Sequence, residues 1–426
     1  MKNIFFTVGL LLLIYPFTAS SQMVEKLSLA DAISEALQHN PQILSAQKEI
    51  DAAEGRILQA GKIPNPELGL SWSETPLNFN IGDADERDIG ISQQIEFPTK
   101  RSKRIEVATD EKQIVLFRSE RLKTLVTAQV KKAYYDGLFS EIILQSLDEQ
   151  LKLLKDFQEL VTARYQGGQS NYLDVIRAKV EIARAGNELV EAKREARFRM
   201  RQLNLIIGQD ADRRFELTDS LSYVPVTISR DTLVRDLLGR SSTLRIAQQF
   251  ITRQHSALSL ARTNYLPDFT LGLFYQRRAE EPPFNQNNFN GTTSKSLGLQ
   301  IGVSVPLWFW QEPKGQVQEA AALIDIAAIN LSKTERSIRA NILSAIDLLQ
   351  TIDAQVRTFD TTLLKDAKDI LSTAVAQYQN NQIDVLNLFD VYRTYRATKV
   401  EYARALSNYM IALADLESAG ELPSQE

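Results

Sequence analysis

This chain is written twice, and that duplication limits its possible folds more than any other feature. Placed without gaps on "YQGGQSNYLDVIR" from Tyr165, the stretch "YQNNQIDVLNLFD" from Tyr378 falls in the same position between two long helix-forming segments. The elements around both stretches also come in the same order: helix, strand, polar loop, strand, very long helix, turn, return helix. The period is about 200 residues, so the fold must be built from two copies of one supersecondary unit.

The units can be bounded from composition and punctuation. From Leu29 to Gly61 the first unit is rich in Ala, Glu, Gln and Leu, which favour helix, until Pro64 and Pro66 end it. Leu68, Leu70 and Trp72 then alternate with Gly69, Ser71 and Ser73, and Ile89, Ile91, Ile95 and Phe97 form a second alternation beyond the polar segment Thr75 to Arg87. These patterns predict strands at about 66–74 and 88–97. A proline-free helix from Arg101 to Tyr165 would be roughly 98 Å long. Gly167 and Gly168 break it and a return helix comes next, giving a helical hairpin at about 101–207.

In the second unit, a helix from Ser241 to Asn264 leads to strands predicted at about 267–277 and 296–307, separated by "EEPPFNQNNFNGTTSK". An uninterrupted helix from Lys314 to Tyr378, the second turn and a last helix make a hairpin at about 314–416. The repeats therefore span 22–240 and 241–426. Along the long helix, Ile338, Ile342, Ala345, Leu349, Ile352, Val356, Phe359 and Leu363 are spaced by steps of four and three. That heptad seam predicts knobs-into-holes packing against antiparallel neighbours.

Residues 1–21 read as a signal peptide: Lys2 precedes an apolar run from Ile4 to Ile14, with small residues at Ala19 and Ser21. The protein is thus expected beyond the inner membrane. It has no cysteine, which excludes disulfides, thiol chemistry and a lipid-modified cysteine. With 49 basic and 53 acidic residues it carries a formal charge of -4, no field for gathering nucleic acid.

The strand "SLGLQIGVSVPL" puts Leu297, Leu299, Ile301, Val303, Val305 and Leu307 on one face, opposite Gly298, Gln300, Gly302 and Ser304. Strands of this length, apolar on one side and small or polar on the other, suit a membrane barrel with lipid outside and water inside. Four such strands cannot close a barrel, and lipid tolerates no open edge, so several copies must contribute. "LWFW" from Leu307 to Trp310 comes after the last strand, placing Trp308 and Trp310 at the bilayer interface or, alternatively, in a core at the barrel base. Lys100, Arg101, Lys103 and Arg104 crowd a helix amino terminus and need compensation, from a neighbouring carboxylate or an anionic lipid headgroup; a solvated basic turn is the alternative.

"AGKIPNPELGLS" (from Ala60), "ISQQIEFPTKRSKR" (from Ile91), "YLPDFTLG" (from Tyr265) and the paired turns "ARYQGGQSNYLDV" and "AQYQNNQIDVLNLFD" resemble the outer-membrane efflux protein family, the TolC-like outer membrane factors, and within it the heavy-metal cation efflux branch. The resemblance covers essentially the whole chain after residue 21. It implies a mainly α fold with membrane β: a homotrimer in which each chain gives four strands to one twelve-stranded barrel, continued by a long periplasmic α-helical tunnel. Shorter helices outside the tunnel would draw on the segment around Asp210 to Arg240 and on the carboxyl end. The implied partners are a periplasmic adaptor, an inner-membrane pump of the resistance-nodulation-division type, and outer-membrane lipid. By match to the turn motifs, Asp390, Asn387 and Asp174 are the periplasmic gate candidates, and Gly167, Gly168, Asn380 and Asn381 form the hairpin turns. "IEFPTK" departs from the glycine-rich version of that loop in metal-efflux relatives, so organic drugs or toxins remain the alternative cargo.

Catalytic signatures are missing: the sequence has no phosphate loop, nucleophile elbow or zinc motif. His39 and His255 stand alone in separate helices, and four methionines form no thioether ladder, so no resident metal site or cofactor is expected. A trimeric adhesin would place its barrel in one terminal block, and a periplasmic adaptor would lack the two strand pairs.

Overall fold

The computed structural model describes residues 25–73, 86–226, 229–279, 293–380 and 382–422. The signal-peptide reading, most of both polar loops, and Asn381 lie outside the described residues. The chain opens with β1 (Glu25–Leu27), α1 (Leu29–His39), α2 (Pro41–Ala60), β2 (Glu67–Ser73) and β3 (Glu86–Ile95), then the hairpin α3 (Pro98–Gln166) and α4 (Tyr172–Ile207). After α4 the chain continues through β4 (Phe215–Leu217) and α5 (Arg230–Arg240) to α6 (Ser242–Thr263), β5 (Asp268–Ala279) and β6 (Thr293–Ser304). The second hairpin is α7 (Glu312–Thr358), a π-helical turn (Phe359–Leu363), α8 (Leu364–Gln379) and α9 (Val385–Ser418), ending in the 3-10 turn Ala419–Glu421.

Both long helices begin earlier than the sequence pattern places them, because Pro98 and Pro313 occupy their first turn. Proline suits that position, since its fixed φ is helical and the missing N–H would have no intrahelical partner. The expected uninterrupted helix from Lys314 is corrected by the π turn at Phe359–Leu363. Ile338, Ile342, Leu349 and Val356 of the heptad seam are buried, but Leu363, its last member, is exposed. A π turn adds a residue per turn and rotates the downstream side chains out of phase with the seam.

The four long strands make one antiparallel sheet in the order β2-β3-β5-β6, so the two units join through β3 and β5. Its register aligns Leu70, Ile89, Tyr275 and Leu297 in one row and Leu68, Ile91, Leu273 and Leu299 in the next. The opposite face carries Ser71, Asp88, Gln276 and Ser296 in one row and Gly69, Gly90, Phe274 and Gly298 in another. Phe274 lies across Gly298, where an added Cβ would come within 2.2 Å of its ring.

Below the sheet the helices form a long stem, α3 alone running for ~100 Å. Three apolar clusters hold it. The first gathers Leu27, Val126, Val130, Leu203 and Ile207 around the buried Tyr134. The Tyr134 hydroxyl is within hydrogen-bond distance of the Leu27 carbonyl (2.9 Å) and the Asp219 carboxylate (2.6 Å), fixing the small parallel pair β1–β4 beside the stem. Burial, with Asp219 adding to it, pushes this phenol well above its ordinary range. The second cluster packs the α7 seam against α9, and the third joins both hairpins near their turns.

Candidate functional site

The sheet presents an apolar surface that the chain itself leaves uncovered. Leu297, Leu299 and Ile301 are 73%, 66% and 70% exposed, and Leu68, Leu70, Ile89, Ile91, Leu271 and Leu273 share their face. Each such side chain gains ~1.5–3 kcal/mol on leaving water, so this face belongs in an apolar medium. The sheet ends in β2 on one side and β6 on the other, and membrane burial requires both edges to be paired.

Trp308, Phe309 and Trp310 are all more than half exposed at the junction between β6 and α7. The cations at the start of α3 are compensated by protein groups. Arg104 donates two bonds to Glu96, at 2.6 and 2.8 Å, and Glu96 raises its pKa. Lys100 pairs with Asp268 at 2.8 Å, and the same carboxylate accepts the Phe97 backbone N–H. Arg101 donates to the Gly61 carbonyl at 2.7 Å, while Lys103 pairs with Glu106. Strands and stem are thus tied where the chain passes between them.

At the far end, the two turns have matching hydrogen bonds. Gly167 N–H donates to the Ala163 carbonyl and Gln169 N–H to that of Arg164; Asn380 and Gln382 do the same to Ala376 and Gln377. Asn171 caps α4 by accepting from Leu173 N–H, and Asp384 caps α9 by accepting from Asn387 N–H. Only Gly168 among the turn candidates is described in the left-handed region, at φ 72°. Gly167 (φ -80°) and Asn380 (φ -88°) adopt conformations open to any residue.

The gate candidates are not equivalent. Asp390 and Asn387 lie exposed in the first turns of α9. Asp174 is half-buried and engaged in its own turn, accepting from Ser170 at 3.3 Å and pairing with Arg177 at 3.5 Å. Below the turns, Phe157 packs edge-on against Tyr378 and Phe389, with ring centroids 5.9 Å apart in both pairs, and Arg164 stacks 4.7 Å over Tyr378. Sequence reasoning missed Asp384, although its alignment with Asn171 marked both as caps.

It also missed the ion pairs that zip α9 to the first hairpin: Arg393 with Glu181 at 2.5 Å, Arg396 with Glu188 at 2.9 Å and Lys399 with Glu149 at 3.1 Å. Their partners are more than 200 residues apart, so no local pattern reveals them. In α3, burial and the neighbouring Glu216 push Glu141 up to about 7. Among the described residues, no group of His, Cys, Asp or Glu is arranged to hold a metal ion.

A lipid-facing sheet continued by two helical hairpins, whose longest helix runs ~100 Å, defines an outer-membrane channel with a periplasmic stem. The profile of the outer membrane efflux protein family matches residues 32–209 and 233–420, and the chain belongs to that family. It is 23% identical over 380 residues to the cobalt-zinc-cadmium resistance protein CzcC of Cupriavidus metallidurans, covering 89% of this chain and 86% of that one. The fold is similar to the CmeC outer membrane channel of Campylobacter jejuni (TM-score 0.73, 15% identity, 93% and 87% of the two chains covered). It is also similar to CusC, with TM-score 0.72, 16% identity, and 92% and 91% covered. The protein is therefore an outer-membrane efflux channel of the TolC type, in a family of non-enzymatic transport channels.

Proposed function

We propose that three copies of this chain form the exit duct of a tripartite efflux assembly that expels transition-metal cations. In this reading each copy supplies four strands to a twelve-stranded barrel, and the helical tips meet a periplasmic adaptor joined to an inner-membrane pump of the resistance-nodulation-division type. The single observation behind the metal assignment is the similarity to CzcC across 89% of this chain. Trp308 and Trp310 rest at the periplasmic membrane interface, as their exposure beside an apolar sheet suits. Asp390, with Asn387 one turn before it, lines the constriction at the tip. Three symmetry-related carboxylates in a narrow bore attract cations without binding them tightly, which suits passive conduction.

The test is cellular metal and drug content in a clean deletion, in the strain complemented with wild type, and in one complemented with Asp390→Asn. The deletion should retain cobalt, zinc or cadmium under sublethal challenge, wild type should restore export, and Asp390→Asn should restore it only in part. Retention of organic compounds alone would overturn the metal assignment and leave the channel standing.

A further inference from the structure

The membrane face of the sheet ends in a row of positive charge. Arg87 of β3 is paired in register with Arg277 of β5, and Arg277 with Lys295 of β6, while Trp72 of β2 completes the row. These residues lie one two-residue step beyond the apolar rows: Lys295 precedes Leu297, Arg277 comes after Tyr275, and Arg87 precedes Ile89. They share the face of the leucines and isoleucines, and Arg277 and Lys295 are exposed. The apolar band of β6 begins at Leu297, runs through Val303 and is carried on past the strand's end at Ser304 by Val305 and Leu307. Trp308 and Trp310 lie at the stem end of that band, so the cations lie at its outer end, at the level of outer-leaflet headgroups.

Two features make this row a binding surface. Like charges placed directly across neighbouring strands repel, and here Arg277 faces Lys295. The carboxylates of the same strand ends are engaged on the opposite face: Glu86 pairs with Arg278 at 3.0 Å and also binds Gln276, and Asp88 accepts from Ser71 at 3.1 Å. Alternation along the strands thus places Glu86 and Asp88 on the face opposite Arg277 and Lys295, with Arg278 as the partner of Glu86 there.

We infer that Arg277 and Lys295 bind the phosphorylated headgroups of outer-leaflet lipid. Phosphate oxygens match the arginine fork and relieve the repulsion within the row. Trp72 and Tyr275 supply the interfacial rings against which such a headgroup rests. The site anchors the barrel at its outer rim, opposite the tryptophans at its base. The inference rests on the outer-membrane placement of the sheet.

Full-length protein would be reconstituted in phosphatidylcholine nanodiscs containing either diphosphoryl lipid A or its fully dephosphorylated form, and retained glycolipid would be counted by native mass spectrometry. Wild type should retain the phosphorylated form preferentially. The Arg277→Gln, Lys295→Gln double variant should lose about thirtyfold of that preference. Arg278→Gln, the same charge change on the lumen face, should keep it, as should the double variant Arg277→Lys, Lys295→Arg.

Equal retention by wild type and the glutamine variant, or retention indifferent to the phosphates, overturns the inference. Displacement of the lipid by millimolar inorganic phosphate would assign the row to free anions instead and overturn it as well. If the glutamine variant does not assemble, the dephosphorylated lipid and the charge-conserving variant still decide the matter. Wild type that inserts but shows no phosphate preference defeats this inference alone, whereas wild type that fails to insert defeats the membrane placement too.

Discussion

The two repeats close the same joint by different means. In the first, the return helix α4 ends at Gly208, in the left-handed conformation (φ 78°), directly against the kink between α1 and α2. Asn40 at that kink caps α2, accepting from Gln42 N–H at 2.8 Å, and donates to the Ile206 carbonyl at 2.7 Å. In the second, Ser241 occupies the kink between α5 and α6, and its hydroxyl donates to the Gly420 carbonyl. The helix start is finished by a carboxylate from the far end of the chain: Glu421 accepts from Ser242 N–H at 2.8 Å and Thr243 N–H at 3.0 Å. A backbone that fits only glycine closes the joint in one repeat, and a buried glutamate side chain closes it in the other.

Gly208→Ala should disrupt the first joint most severely. The new Cβ would lie 2.2 Å from the His39 carbonyl oxygen in a conformation that already disfavours it. The loss should reach ~4 kcal/mol, read as collapse of folded yield or of the melting temperature. Gly168→Ala is the control, because that glycine has φ 72° but open space around it, and should cost only ~1 kcal/mol. Comparable losses at the two positions would show that steric contact does not set the difference.

For the second joint, Glu421→Ala leaves two buried N–H groups at the start of α6 without this carboxylate. It should cost ~2–3 kcal/mol by denaturant titration, with faster hydrogen exchange at Ser242 and Thr243. Exchange unchanged at those two amides would mean that the carboxylate is incidental to the cap.

The long helices of the two repeats differ as well. Along α3, burial continues from Ala108 to Val161, with α2, α4, α6 and α9 packed around it, and the helix is unbroken. Its counterpart passes from one apolar cluster to another, and the π turn lies between them. There the Tyr402 hydroxyl donates to Asp360 at 2.9 Å, and burial together with Asp360 pushes the phenol up to about 12. Tyr402→Phe should cost ~1 kcal/mol and raise hydrogen exchange across residues 359–363. The folded pKa lies above the unfolded value of about 10, so this contribution is full below that pH and is lost as pH rises toward 12. A phenylalanine variant with the wild-type pH profile above pH 10 would remove Tyr402 from this account.

Much of this architecture is legible in the sequence because it is local and periodic. The strands announce themselves by alternation of apolar with small or polar residues, the hairpins by proline-free length, and the duplication by the two aligned turns. The caps at Asn171 and Asp384 carry an equally local signal that the sequence reading missed, since a cap depends only on the residues just after it. The π turn was not legible: its sequence continues the heptad seam through Phe359 and Leu363, and it is set by the change of packing partner on either side. Arg101 and its neighbours showed that compensation was needed, but Glu96 and Asp268 could be chosen only by the fold.

The repeat, the order of elements, and a sheet with one face for lipid and one for water are properties of the sequence alone, because periodicity requires no knowledge of distant partners. The pairing of β3 in one repeat with β5 in the other, the zip of α9 to the first hairpin by Arg393 and Glu181, and the capping of α6 by a carboxyl-terminal glutamate belong to the folded molecule. Those contacts join residues far apart along the chain, where side-chain chemistry is compatible with many partners and packing geometry selects one.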